Sequence, residues 1–280
     1  MRFVLLFVIF WISAPIASAA DRLDHISALR DTDHIEMQSR TLQRSFHIYV
    51  RKPLDYDETN ADYPAVYLLD GDITYPIIAA YHYLLQYDEK TIPEAIIVGI
   101  SYGSFYPKNG NYRATDYSTP PLPEEFRNGV DDGDVHGGAA AFQQFIKYEV
   151  IKHIEENYRT DPSRRILMGQ SRGAHFALYS AHTDPDLFWG RIASNPSFEP
   201  NKDIFFADET LPDMNNAKLY VSSAERDLPD LKSDANAWAA RWESDTPPWE
   251  LKFAEPAGET HAAGIVRVYR DGMKWLFGGE

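Results

Sequence analysis

Short, continuous apolar runs alternating with helical periodicities constrain this chain more than any other feature. AVYLL at Ala65 to Leu69, AIIVGI at Ala95 to Ile100 and ILM at Ile166 to Met168 carry no polar alternation. Runs of that kind suit strands covered on both faces, as in a parallel sheet. Helical spacing lies between them. Thr74 to Tyr87 repeats apolar residues every three or four positions, as do Ala139 to Tyr158, Arg172 to Ala181, Asp230 to Trp242 and Ile265 to Phe277. Further strands are expected at Gln43 to Val50, Trp189 to Ala193, Lys218 to Ser222 and Trp249 to Phe253. The expected architecture is α/β, one mostly parallel central sheet with helices on both faces. Leu23 to Asp33 reads as a polar lead-in. Tyr102 to Val135 reads as a long loop, a kind of segment that is often functional. Asn201 to Asn216 is an acidic excursion without a period, open to forming a lid or small insertion.

The first twenty residues, MRFVLLFVIFWISAPIASAA, place one arginine before an apolar run and end in small residues. This is the pattern of an export signal over residues 1–20, leaving a single catalytic domain over residues 21–280. The apolar run is short for a membrane span, which needs about 20 residues. The mature chain is therefore expected to be periplasmic or extracellular, without stable membrane insertion. The chain has no cysteine, which excludes disulfides, thiolate metal sites and thiol catalysis. Its net charge of −15 argues against nucleic-acid partners. No histidine cluster of a metal-ligating kind appears, and neither a metal nor an organic cofactor is expected.

Candidate chemistry centres on MGQSRGA, where an apolar strand runs into Gly169-Gln170-Ser171-Arg172-Gly173 and then into a helix. Glycines two before and two after the serine let strand and helix approach closely around a strained turn that exposes Ser171 Oγ. The same turn puts the Arg172 amide at a helix start, where it has no intrahelical acceptor and a favourable field for an anion. A serine hydroxyl needs a base. His175 and His182 lie within or at the end of the following helix and read as packing residues, and His136 lies upstream of the nucleophile. His261, in GETHAAG between the late strand and the final helix, is the candidate base. Glu225, just beyond the Lys218 to Ser222 strand, is the candidate acid and gives the order Ser, acid, His; Asp227 is its rival and Asp230 a poorer one. A second oxyanion donor is expected from the Asp72 amide after Gly71, provided that the Asp72 carboxylate turns away.

With those residues in place, the chain resembles the putative-esterase family of α/β-hydrolases. The resemblance rests on YLLDGD from Tyr67, IVGI from Ile97, YRATDYSTP from Tyr112, the helix and elbow from Phe145 to Gly173, Asn195-Pro196-Ser197 and the late GETH, in that order. It covers roughly Leu42 to Phe277 and implies an α/β-hydrolase fold. It further implies Ser171 as nucleophile, His261 as base, Glu225 as acid, and Asp72 and Arg172 as backbone oxyanion donors. Arg113 and Asp116 are implied to anchor a loop near the site. Family members often carry a small or apolar residue where Arg172 stands, and a glycine where Ala174 stands. The implied function is hydrolysis of a small-molecule carboxylic ester through an acyl-enzyme, with aryl or siderophore-type esters as candidates. Tyr102, Phe105, Tyr106, Tyr112 and Tyr117 are candidate walls for an aryl group, and the Arg172 side chain is placed either at the site mouth or on a surface acid. A secreted acyltransferase using the same three residues, and a non-catalytic binding module on the same scaffold, are the alternatives.

Overall fold

A computed structural model describes residues 26–88, 91–106, 108, 110–120, 135–207, 216–244 and 247–278. The expected export segment, residues 208–215 of the acidic excursion and most of the second half of the long loop lie outside the described residues. In chain order the elements are β1 (Thr32–Gln38), β2 (Ser45–Arg51), β3 (Tyr63–Leu68), α1 (Gly71–Asp88), β4 (Ile96–Ser101) and α2 (Arg113–Asp116). Then come α3 (Ala139–Phe145), a π-type stretch Ile146–Ile151, α4 (Lys152–Asn157), β5 (Thr160–Gln170), α5 (Arg172–Thr183) and β6 (Gly190–Ser194). The chain closes with α6 (Asp203–Phe206), β7 (Lys218–Ser222), α7 (Pro229–Ser244), β8 (Glu250–Ala254) and α8 (Ile265–Leu276).

The strands form one 8-stranded sheet in the order β1-β2-β4-β3-β5-β6-β7-β8. β1, β2 and β4 pair antiparallel, and every pairing from β4 through β8 is parallel. Successive side chains on a strand point to opposite faces, so each parallel strand feeds two cores. Ala65, Tyr67 and Leu69 face one core with Phe142, Phe145, Ile146, Phe176 and Trp238. Val66 and Leu68 face the other, against Tyr75, Ile78 and Ala79 of α1 and Val268, Tyr269 and Met273 of α8. Burial on both faces is why these strands read as unbroken apolar runs.

Two strands differ from the sequence expectation. β1 begins inside the stretch taken as a polar lead-in. It is an edge strand paired only to β2, and Ile35 and Met37 are its only apolar side chains, so its alternation is faint. β5 runs to Thr160, well before its apolar core at Ile166 to Met168. Its pairing with β3 shifts register between Tyr63 and Ala65, and none of Asp161 to Arg164 is buried.

The helix after the elbow is tied down by a fully buried cation. Arg191 donates to the carbonyl oxygens of Ser180 (3.1 Å), Asp184 (2.9 Å), Pro185 (3.1 Å) and Phe188 (2.9 Å). It thereby joins the last turn of α5 to the turn at Pro185–Leu187 that follows it. Burial pushes its guanidinium down to about 9.

Three histidines are buried in neutral form. Burial pushes His82 down to about 3 and His175 and His182 each to about 4. At His175 the tautomer is fixed: Nδ1 faces the Ser197 carbonyl at 2.9 Å and so donates, and Nε2 accepts from the Thr119 amide at 3.2 Å. Protonating Nε2 would set two donors against each other. Because these groups bind protons in the unfolded chain near pH 6.5 and in the fold only near pH 4 or below, stability is complete above 6.5 and falls as pH drops. Urea unfolding between pH 6.5 and 5 is expected to show a loss approaching about 1.4 kcal/mol per pH unit for each histidine. His182→Phe, placed among Phe205, Trp242 and Trp249, is expected to flatten that slope by one such increment. Equal stability at pH 7 and pH 5 would contradict the assignment.

Candidate active site

β3 and β5 are neighbours, but the chain leaves them in opposite directions, through α1 to β4 and through α5 to β6. A crevice beyond the carboxyl ends of such a strand pair is where parallel α/β sheets place their sites. Ser171 stands at the end of β5 with φ 58° and ψ −114°, a left-handed backbone uncommon outside glycine. It occupies the N-cap position of α5, yet its side chain makes no capping hydrogen bond. A serine that served only to start the helix would place its oxygen on an amide of the first turn.

Gly169 enforces this turn. A Cβ there would lie 2.0 Å from the Gly173 carbonyl oxygen, so no other residue fits without moving the backbone. At Gly173 the added carbon would meet Leu69 and the Asp70 carboxylate at an ordinary 3.5 Å. The close approach therefore depends on the first glycine of the motif and not the second. Ser171 is held in turn by its amide on the Ser194 carbonyl (2.9 Å) and its own carbonyl, which accepts from the Ser197 amide (3.3 Å). The Arg172 amide opens α5, where no intrahelical acceptor exists. The Arg172 side chain is half-buried and close enough, with His136, to depress His175 electrostatically, though less than burial does.

On the other side of the crevice, Asp70 follows β3 with φ 53° and α1 starts at once. A Cβ on Gly71 would lie 2.8 Å from the Ile100 carbonyl oxygen, so glycine is what allows α1 to begin against β4. The Asp72 amide lies in the first turn of α1. Its carboxylate turns to the end of β4, where it accepts from Ser101 Oγ (2.6 Å) and the Tyr102 amide (3.0 Å). Asp70, which the sequence shows only within YLLDGD, has a structural role. Its buried carboxylate takes a two-pronged bond from Arg113, Nε to Oδ1 at 2.7 Å and Nη2 to Oδ2 at 2.8 Å. Burial opposes the Arg113 charge, and the bonds and field of Asp70 more than offset it, raising its pKa. The Asp70 amide donates to Tyr117 Oη (3.0 Å), and Tyr102 Oη donates to Asp116 (2.9 Å), which also pairs with Arg44. Arg113 and Asp116 thus fasten the long loop to the rim. Tyr102 and Tyr117 are spent in that core, whereas Phe105, Tyr106 and Tyr112 are exposed.

The carboxylate on His261 is not Glu225. His261 Nδ1 faces Asp227 Oδ1 at 2.6 Å, and the Asp227 side chain is 1% exposed. The same oxygen accepts from the Leu228 amide at 2.7 Å. Glu225, the acid expected from sequence, is exposed and accepts from the Gly258 amide at 2.5 Å. Pairing between the two loops decides between them. Arg226 forms a parallel bridge with Thr260, which sets Asp227 beside His261 and Glu225 back toward Gly258. Chain order and distance from the strand end are the same for both acids to within two residues, so the sequence carries only the rivalry.

Gln170 and Asn195, at the ends of β5 and β6, both donate side-chain amides to the His261 carbonyl and seat its loop on the same rim. Among the described residues no hydrogen bond joins Ser171 Oγ to the imidazole, although Ser171 and His261 stand at the same edge of the sheet. A cleft of about 530 Å³ between Trp189, Trp249 and Phe277 opens at the opposite rim and includes none of these residues.

The sheet order, the elbow and the acid–histidine pair beyond the strand ends define an α/β-hydrolase. The chain belongs to the putative esterase family, whose profile matches residues 39–255. It is 34% identical over 200 residues to the ferri-bacillibactin esterase BesA of Bacillus subtilis (strain 168), covering 69% of this chain and 68% of that protein. Among solved structures, the BES protein from Bacillus cereus superposes with a TM-score of 0.77 at 24% identity, covering 88% of this chain and 96% of that one. An IroE-like serine hydrolase from Shewanella oneidensis superposes with a TM-score of 0.72 at 26% identity, covering 88% and 80% respectively. The chain is accordingly an ester hydrolase.

A short Nδ1–carboxylate bond shifts its proton far downfield in an NMR spectrum. That resonance is expected in the native protein, retained in Glu225→Gln and lost in Asp227→Asn. Loss in Glu225→Gln alone would reverse the assignment of the partner.

Proposed function

We propose that the protein is a serine esterase that cleaves small carboxylic esters through an acyl-enzyme, with Ser171 as nucleophile, His261 as base and Asp227 as orienting acid. The single observation that carries this reading is the left-handed, uncapped Ser171 at the same rim as an imidazole already bonded to a buried carboxylate. In the reaction, His261 Nε2 takes the Ser171 proton as Oγ adds to the ester carbonyl. Asp227 holds Nδ1–H and stabilises the imidazolium. The tetrahedral oxyanion lies between the Asp72 and Arg172 amides, each in the first turn of a helix that starts at the crevice; one such donor is worth about 3 kcal/mol in the transition state. His261 gives its proton to the leaving alcohol, then activates the water that releases the acid. The missing Ser171–His261 hydrogen bond closes on substrate binding, since such contacts are often long in the free enzyme.

The favoured substrate is a siderophore-type ester bearing aryl groups. BesA is named for ferri-bacillibactin, and the exposed rings of Phe105, Tyr106 and Tyr112 flank a loop anchored at the rim by Arg113. An aryl ring stacks on such side chains. The N-terminal export pattern supports a reaction outside the cytoplasm, in the periplasm or beyond.

Ser171→Ala is expected to lower kcat by at least about 10⁴-fold while circular dichroism stays native. Asp227→Asn is expected to cost about 10⁴-fold by leaving the imidazole in the wrong tautomer, and Glu225→Gln to stay within about threefold, as for surface substitutions away from the chemistry. A fluorophosphonate probe should label the wild type and not Ser171→Ala. Undiminished turnover in Ser171→Ala would remove the mechanism. On a panel of catecholate triesters, simple aryl esters and long-chain acyl esters, exclusive use of the last would remove the substrate class.

A further inference from the structure

Asn195 is buried, left-handed at φ 49°, and bonded through its backbone amide, Oδ1 and Nδ2. Its amide donates to the Ser222 carbonyl at 2.8 Å, which ties the end of β6 to the end of β7. Its side-chain Oδ1 accepts from the Ala224 amide at 2.7 Å, inside the turn that leads to Asp227. Its Nδ2 donates to the His261 carbonyl at 2.6 Å. The residue before it, Ser194, accepts from the Ser171 amide at 2.9 Å, and Ser197 donates back to the Ser171 carbonyl at 3.3 Å. One side chain therefore bridges the loop of the acid and the loop of the base, and its backbone neighbours hold the turn of the nucleophile.

Asparagine suits this position for two separate reasons. It tolerates the left-handed region better than other residues with a Cβ. Its amide also offers one acceptor and two donors in a fixed plane, so it can receive from Ala224 and give to His261 at once. Aspartate could keep the first bond but would turn an oxygen toward the His261 carbonyl. Glycine would keep the backbone and lose both bonds.

We propose that Asn195 is a positioning residue that sets the Asp227–His261 pair in register with Ser171 by joining the Ala224 amide to the His261 carbonyl. The proposal rests on the serine-esterase reading above. Displacement of a catalytic group by about 1 Å can cost about 100-fold in rate, so Asn195→Gly is expected to lower kcat by about 10- to 100-fold with KM within about threefold. The downfield Nδ1 proton of His261 is expected to shift or broaden in the same variant. Asn195→Asp, which keeps the Ala224 bond and so holds the turn, is expected to lose kcat to a similar extent and serves if the glycine variant does not fold. Native kcat in either folded variant, or a loss confined to KM or to Tm, would overturn the proposal, as would an unshifted resonance. Ser171→Ala assayed beside them separates the two failures. Activity surviving in Ser171→Ala refutes the esterase reading, whereas the His261 resonance in Asn195→Gly reports on positioning without reference to turnover.

Discussion

The contact between Gly169 and the Gly173 carbonyl is the constraint from which the rest of the site follows. With 2.0 Å between that oxygen and a Cβ that glycine does not have, α5 begins directly over the end of β5. The intervening serine is then forced into the left-handed region. A backbone of that kind persists only where its surroundings over-determine it, and here they do. Arg191 holds the far end of α5, β6 takes the Ser171 amide, and Ser197 returns a bond to its carbonyl. The strain falls on the one residue whose side chain must stand clear of helix and strand alike.

The opposite wall of the crevice is fixed by charge. Asp70 and Arg113 are largely withdrawn from water, with side chains 5% and 18% exposed. A pair of that sort adds little net stability, but removing one partner leaves a buried charge and costs about 3–5 kcal/mol. Its effect is to hold the Arg113–Asp116 turn against the end of β3, with Tyr117 buried and Phe105 and Tyr112 exposed. Asp72, which would repel an oxyanion, is occupied at the end of β4. Both acids of the turn after β3 thus spend their charges on structure.

Asp227 and His261 are joined in another way. Their loops meet at the bridge of Arg226 with Thr260 and through the side-chain amide of Asn195, which binds both. Polar contacts of this kind have strict geometry and little tolerance for slippage, so a shift of two residues in the bridge would exchange Asp227 for Glu225 beside His261. That sensitivity explains why Asp227 and Glu225, two positions apart, have different environments: one is buried on an imidazole and the other is exposed on a glycine amide.

The sequence alone determined the alternation of strands and helices, because residues buried on both faces of a sheet leave unbroken apolar runs and helices leave a three-to-four spacing. It also determined the elbow, where the local steric demand for glycine is written into five consecutive residues, and it singled out His261 by its place after the last strand. Tertiary structure decided what depended on distant partners. The edge strand β1 is visible only through its pairing with β2. The carboxylate on His261 was chosen by a bridge between residues 34 positions apart in the chain. Asp70 and Asn195 took their roles from side chains that no local pattern announces. Local sterics and periodicity act over a few residues and can be read directly, whereas hydrogen bonds between loops depend on where the whole sheet brings their ends.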